Sequence, residues 1–435
     1  MRLVGEQAHW CAREELRLVR LRLCHSGVNR AVKHRSKGDI AMSMHRSFMV
    51  FAPIALLLAA CAGPIDAPAE GRTAEASQAI TIVQKVEVGY SHAFTIADGG
   101  DLYAWGYNGN YELGLGDTTN RAAPAQSSLL DVADVDAYGM HACAATEGGS
   151  VYCWGHNGFN KAGSGSWYSP KQTPTAVSGI SGAVAVATGW EHSCALLSSG
   201  GVVCWGQNYY GQLGHGLADL YTTSPVTVSN LGDAIAIDAG AYSTCALRAT
   251  GKVVCWGDDW AGQLGNGSPS ANQDEPVEVS GIDDAVKMVR GQNHGCALLS
   301  SGEVKCWGAN NYGQLGLGSG AASVAYSAEL VSSLSDIVDL GAGNSHTCAI
   351  RSDNEVFCWG LNDSRQLGDG TTTNRSAPTL ITNAAGAIKI DGGQISTCAL
   401  FEEGVKCWGS DSLGQLGNGA PASGSSSTPV DVVFP

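Results

Sequence analysis

The pair Trp-Gly returns seven times along the chain, at Trp105, Trp154, Trp205, Trp256, Trp307, Trp359 and Trp408, at intervals of 49, 51, 51, 51, 52 and 49 residues. A period near fifty residues means that one supersecondary unit is repeated, and a unit of that size cannot bury its apolar surface alone. The third unit shows the pattern in full: Pro-Thr-Ala-Val from Pro174, Ala-Val-Ala-Val-Ala-Thr-Gly from Ala183, Cys-Ala-Leu-Leu from Cys194 and Val-Val-Cys-Trp-Gly from Val202. Each run is short and β-prone and is set off from the next by Gly, Ser, Asn or Pro, as in a small antiparallel sheet. Repeated around an axis, such sheets predict an all-β fold, a seven-bladed β-propeller of four-stranded antiparallel blades over residues 80–435. With 58 Gly among 435 residues and only 15% charged, the composition suits many strands joined by tight turns.

The cysteines mark the hairpins. Of fifteen, twelve fall into six pairs: Cys143 with Cys153, Cys194 with Cys204, Cys245 with Cys255, Cys296 with Cys306, Cys348 with Cys358, and Cys398 with Cys407. In a hairpin turning at Ser199, Cys194 and Cys204 stand opposite each other, and cross-strand Cα atoms there approach to about 4.5 Å, within reach of a disulfide. We therefore expect six disulfides. Zinc is the rival reading, but no Cys-x-x-Cys spacing occurs and each pair would need its own ion. In the first unit Phe94 and Ala104 take the two Cys positions, where a large side chain packed on a small one fills the same cross-strand slot. Cysteines replaced in this way are structural, not catalytic.

Residues 1–79 stand outside the repeat. His45 and Arg46 precede an apolar run of thirteen, Phe48 to Ala60, which ends at Cys61. Thirteen residues are too few to span a bilayer, whereas Leu58-Ala59-Ala60-Cys61 resembles a bacterial lipobox whose Cys is acylated after signal cleavage. The expected organisation is an upstream extension (1–43), a lipoprotein signal with lipidation at Cys61 (44–61), a Pro- and Gly-rich linker (62–79) and the propeller (80–435). This places the chain in a bacterial cell envelope, lipid-anchored and facing the periplasm or exterior, an oxidising setting that suits disulfides. Residues 1–60 hold 10 of the 25 Lys and Arg but 4 of the 40 Asp and Glu, which leaves the rest at a net charge of −21. A surface that acidic repels phosphate backbones and disfavours nucleic acid as a partner.

Three motifs recur together: Gly-x-x-His-x-Cys-Ala-Leu from Gly189, Gly-x-Val-x-Cys-Trp-Gly from Gly302, and Asn-x-x-Gly-Gln-Leu-Gly from Asn208. They resemble the repeat of the regulator of chromosome condensation family across residues 80–435. The founding member's nucleotide exchange on a nuclear GTPase uses an inserted wedge and a chromatin-binding arm, and the even intervals here leave little room for a wedge. Bacterial relatives, among them a secreted β-lactamase inhibitor protein of the same shape, imply protein binding through loops on one face. The first unit begins with Ile80–Val88 as one run and lacks a Pro-Val-x-Val strand, while the C-terminus carries a spare copy, Pro429-Val430-Asp431-Val432. We expect this C-terminal strand to close the ring by completing the sheet that contains Trp105.

His recurs at one repeat position, as His92, His141, His192, His294 and His346, with Ser243 and Ser396 in the other two units. Equivalent positions on neighbouring blades stand too far apart to share an ion, so a structural hydrogen bond within each loop is expected in place of a metal site. No Gly-x-Ser-x-Gly elbow, His-Glu-x-x-His helix or phosphate-binding loop occurs; no catalytic residue and no cofactor are assigned. The residues that vary are more informative. Just after the recurring loop Gly stand Tyr90, Met140, Trp190 and Tyr242, with Asn293, Asn344 and Gln394 in the remaining units. These four predict a one-sided apolar patch suited to a protein partner, the alternative being packing within each loop. Trp167, Tyr168 and Trp260 are further candidates. The expected function is a monomeric binding scaffold for a protein or cell-surface polymer. A glycan hydrolase or lyase is the alternative and would need carboxylates converging on one face; guanine nucleotide exchange rests on the family resemblance alone.

Overall fold

The computed structural model describes residues 83–435 apart from positions 270 and 423. The expected extension, signal segment, Cys61, the whole linker and the first three residues of the expected propeller range lie outside the described residues. Seven four-stranded antiparallel sheets follow one another, each made of four consecutive strands. Blade 3 is typical: Ala183–Thr188, His192–Leu197, Val202–Gln207 and Tyr221–Thr227. The helical segments among the described residues are two single 3-10 turns, Gly158–Asn160 and Thr382–Ala384. The first strands of successive blades touch one another from blade 1 to blade 7 and back to blade 1. They therefore surround the axis, and the ring is closed.

A blade buries itself against its neighbours. Seven apolar clusters lie at the seven junctions, and each contains one fully buried Trp of the repeat. The indole N–H of that Trp donates to a carbonyl in the loop of the preceding blade. Trp205 reaches Lys161 O at 2.8 Å, Trp256 reaches Gln212 O at 2.9 Å, and Trp105 of blade 1 reaches Gln415 O of blade 7 at 3.0 Å. The loop leaves room for the ring only where it has no side chain: a Cβ on Gly214, which sits at φ +67°, would come within 2.7 Å of Trp256.

The C-terminal strand joins a different sheet from the one expected. Ser425–Asp431 pairs with Gly404–Ser410, the strand of Trp408, and not with the sheet of Trp105. The Trp105 sheet has its own outer strand, Arg121–Gln126. The Pro-containing run is thus the fourth strand of the blade before it, not the first of the blade after it. This position suits Pro, because the outer strand has no further neighbour to receive its missing N–H. The C-terminal segment still helps to close the ring, by packing: Val432 lies in one cluster with Val86, Val88 and Trp105, and the Phe434 ring meets Tyr103 edge-on at 5.8 Å.

All six cysteine pairs are disulfides between directly opposed residues of the second and third strands, with Cα atoms 4.0–4.1 Å apart. Phe94 and Ala104 are opposed in the same way in blade 1. Because the strands alternate in direction, each blade turns its strand 1–2 and 3–4 loops to one face (the loop face) and its central hairpin and onward connection to the other (the hairpin face).

Candidate functional site

The recurrent loop after each Trp-Gly strand is held by its own side chains. In blade 3, Asn208 Oδ1 accepts from Leu213 N at 3.0 Å, and Gln212 Oε1 accepts from Tyr210 N at 2.9 Å. Blade 2 breaks this pattern. Lys161 replaces the Gln and has no acceptor to offer residue 159. Phe159 and Asn160 there adopt φ of 54° and 62°, left-handed values uncommon for Phe. Lys161 is buried to 1% exposure; it donates to Trp190 O at 2.8 Å and pairs with Glu191 at 2.9 Å. Burial lowers the pKa of Lys161, against the opposing charges of Glu191 and Glu112. Burial, helped by the Lys161 charge, pushes His156 down to about 4, and burial raises Glu112.

This turned loop presents a run of aromatic rings. Phe159 meets Trp167 at 5.7 Å and Tyr209 at 5.5 Å, and Trp167 meets Tyr168 at 4.9 Å and Tyr221 at 4.7 Å. Next to Tyr209, Tyr210 meets Tyr242 at 5.1 Å, and Tyr242 stacks on Trp190 at 6.3 Å. Trp190 continues to Tyr90 at 6.0 Å and Tyr138 at 6.4 Å. The Tyr138 hydroxyl donates across the axis to Asn344 Oδ1 of blade 6 at 2.7 Å. The rings thus run from the outer edge of blades 2 and 3 to the axis, all on the loop face.

Three of the four residues expected to form the patch, Tyr90, Trp190 and Tyr242, come together, half-buried against one another. Met140 is 38% exposed and stands beside them, its sulfur 3.7 Å from Asn110 Nδ2 and outside the ring contacts. The four occupy two register positions, not one: Tyr90 and Trp190 lie two residues before the His position, Met140 and Tyr242 one before it. Trp167 and Tyr168 belong to the outer part of the run, and Trp260 stands exposed in the blade 4 loop outside it. The sequence reading missed Tyr138, Phe159, Tyr209, Tyr210 and Tyr221. Two of these carried a signal, since Tyr138 replaces the recurring Gly and Phe159 sits in the only loop with Lys for Gln.

The His side chains bond between blades and not within their loops. His192 Nε2 lies 2.8 Å from Thr244 Oγ1, and His141, His294 and His346 reach Ser193, Thr347 and Thr397 of the following blade in the same way. His92 faces Ala142 at that position and packs edge-on against Phe94. Burial pushes His92, His192 and His294 to about 3 and His346 to about 4.

Carboxylates converge at the axis and not on an open face. Glu87, Asp136, Asp238 and Asp391 share one register position of the inner strands, and three of them cap the next blade. Asp136 accepts from Thr188 N at 2.6 Å, Asp238 from Arg290 N at 2.8 Å, and Asp391 from Val88 N at 2.8 Å. Burial raises all four, Asp238 to about 8 and Asp391 to about 7. Among the described residues no three His, Cys, Asp or Glu side chains are grouped as a metal site requires.

The regulator of chromosome condensation (RCC1) repeat model matches residues 99–145, 148–196, 199–247, 250–298, 301–350 and 353–400, and a second model of the same repeat matches five spans within the same region, between 132 and 366. The chain is 32% identical over 222 residues, 49% of its length, to the probable E3 ubiquitin-protein ligase HERC6 of Homo sapiens, of which the match covers 22%. It is 34% identical over 201 residues, 45% of its length, to the probable E3 ubiquitin-protein ligase HERC4 of Rattus norvegicus, of which it covers 19%. The chain thus spans about a fifth of these relatives. Human WBSCR16 superposes with a TM-score of 0.65 at 23% identity over 72% of this chain and 85% of that one. Prp20p of Saccharomyces cerevisiae, studied for its binding to Gsp1p and histones, gives 0.64 at 22% identity over 72% and 80%. At these identities the likeness shows the fold.

Proposed function

Since the chain belongs to the regulator of chromosome condensation (RCC1) repeat family, we propose that it is a binding scaffold which takes a protein partner on its loop face. The observation that carries this reading is the placement of the exposed aromatic side chains. Trp167, Tyr168, Tyr209, Tyr210, Tyr221, Trp260 and Tyr312 all lie on that face, most of them on blades 2 and 3. Aromatic side chains of this kind supply the buried anchors of protein interfaces. The half-buried stack of Trp190, Tyr242, Tyr90 and Tyr138 gives the run a rigid inner end. Three of the four converging carboxylates are tied to backbone amides and the fourth, Glu87, pairs with Lys85, so the reading is of a binder without catalysis.

The same proposal places the scaffold outside the cytoplasm as a lipid-anchored monomer. Six disulfides in one domain support an oxidising compartment, and the Leu-Ala-Ala-Cys61 sequence supports the anchor. The test pairs capture with folding. Partners are recovered from envelope extract with the wild-type chain and with a Trp190→Ala, Tyr242→Ala chain of unchanged disulfide content. Loss of a specific partner from the variant is expected; retention of the full partner set would refute the assigned face. Metabolic labelling with palmitate, abolished by Cys61→Ser, tests the anchor.

A further inference from the structure

Among the described residues the large exposed hydrophobic side chains differ in kind between the two faces. The aromatic ones lie on the loop face, and the hairpin face carries aliphatic ones alone. Five of these aliphatics form a series. Val184, Ile235, Val286, Val338 and Ile388 are 48%, 55%, 56%, 55% and 42% exposed and stand at equivalent positions of five successive blades. In blades 1 to 6 the pairing of the inner strand skips one residue at this position, as between Ala234 and Ala236. A residue left out of the ladder by a bulge is turned away from the sheet. Because the inner strands touch around the axis, the five side chains form an arc at the channel mouth, completed by Gln84 and Ala133.

Five β-branched aliphatics, each about half exposed, leave on the order of a few hundred Å² of apolar surface in water, the size of the largest and often functional patch on a monomer. The hairpins and connections around them carry thirteen carboxylates and one cation, Lys252; Arg248 and Arg351 at the adjoining strand ends pair with Asp233, Asp353 and Glu355, which leaves the rim acidic. That arrangement, an apolar centre inside a charged rim, is the anatomy of a protein interface. The charge of the rim selects among occupants. An anionic membrane surface is repelled, and a second copy would set carboxylate against carboxylate.

We propose that this ring is a second docking surface, which takes a basic amphipathic segment of a partner protein. The apolar side chains of the segment seat on Val184, Ile235, Val286, Val338 and Ile388 while its Lys and Arg meet the surrounding carboxylates. It is separate from the loop-face reading: the two surfaces lie at opposite ends of the axis, so a chain with both would bridge two proteins.

The experiment uses the full chain and a synthetic amphipathic Leu/Lys peptide, with a Leu/Glu peptide, phosphatidylcholine vesicles and sedimentation velocity beside it. Saturable binding of the Leu/Lys peptide is expected, with at least a tenfold loss in Ile235→Thr, Val286→Thr, Val338→Thr. Thr keeps the β-branch at these exposed sites, so the melting temperature should not move. Trp167→Ala, Tyr221→Ala on the loop face should bind the peptide as the wild type does. Equal affinity in the Thr variant would overturn the proposal, as would vesicle binding or self-association that the Thr substitutions abolish. Failure of the loop-face capture experiment leaves this result standing, and the reverse holds too.

Discussion

Lys161 stands where five units have Gln and one has Glu, and its burial beneath the Trp190 carbonyl turns a repeated loop into a specialised one. A buried pair is costly to break from one side only, because the remaining charge is left without compensation. Lys161→Met should therefore cost about 3 kcal/mol, and Glu191→Gln a similar amount. The double variant should cost clearly less than the two combined; urea denaturation of all four chains gives the coupling. Lys161→Gln restores an acceptor for residue 159 and should relax Phe159 away from Trp167, seen as a change in Trp fluorescence. At this scale the sequence was informative where a residue departs from the repeat. Trp190, Tyr242 and Tyr90 were legible because large side chains on a short loop near the axis have few places to go. Their support was not: Tyr138 and Lys161 act across junctions, on Asn344 and Glu191, and a linear reading of one unit does not show which residues of another unit they meet.

Each hairpin bears its own clamp, and the clamp is wholly buried: every disulfide cysteine is at most 1% exposed. Cys194→Ala, Cys204→Ala removes one closure of about ten residues and should lower stability by about 2.5 kcal/mol in the chain-entropy account. Reductant alone should leave the bonds intact, with thiol labelling only once denaturant opens the blades. The pairing was readable because both cysteines sit equally far from a turn rich in Ser and Gly. The limits of the blade were not. A long Gly-rich loop after Trp-Gly looks like a boundary between units, yet the strand beyond it returns to pair with the Trp strand, as Val226 does with Cys204. A repeat has a period but no marked starting point, and that ambiguity moved the Pro-containing strand by one blade and misplaced the C-terminus.

At the scale of the ring, closure rests on side chains from blade 7 and blade 1: Gln415 with Trp105, Asp391 with Val88, and Val432 and Phe434 on the first blade. Truncation after Asp431 leaves the last strand in place but removes that packing, and it should lower the melting temperature by several degrees. The axial carboxyls make stability depend on pH. A carboxyl with a raised folded pKa holds its proton more tightly folded than unfolded, so its contribution is lost as pH climbs from about 4, its unfolded value, through about 7 for Asp391 and about 8 for Asp238. The buried imidazoles act in the opposite sense. With folded values of about 3 to 4, they cost stability as pH falls below about 6.5. Above that value only the carboxyls of this set titrate, so the melting temperature should decline from pH 6.5 to 8.5. Asp238→Asn should flatten the decline; an unchanged slope would assign it elsewhere.

Among the described residues every sulfur bridge stays within one blade. Twelve thiols could in principle combine in roughly ten thousand ways, a search that ordinarily calls for repeated shuffling. Here every correct partner is also the nearest neighbour along the backbone, and contact over so short a span forms within about 100 ns. Oxidation can therefore proceed one clasp at a time, before the first blade to form has met the last.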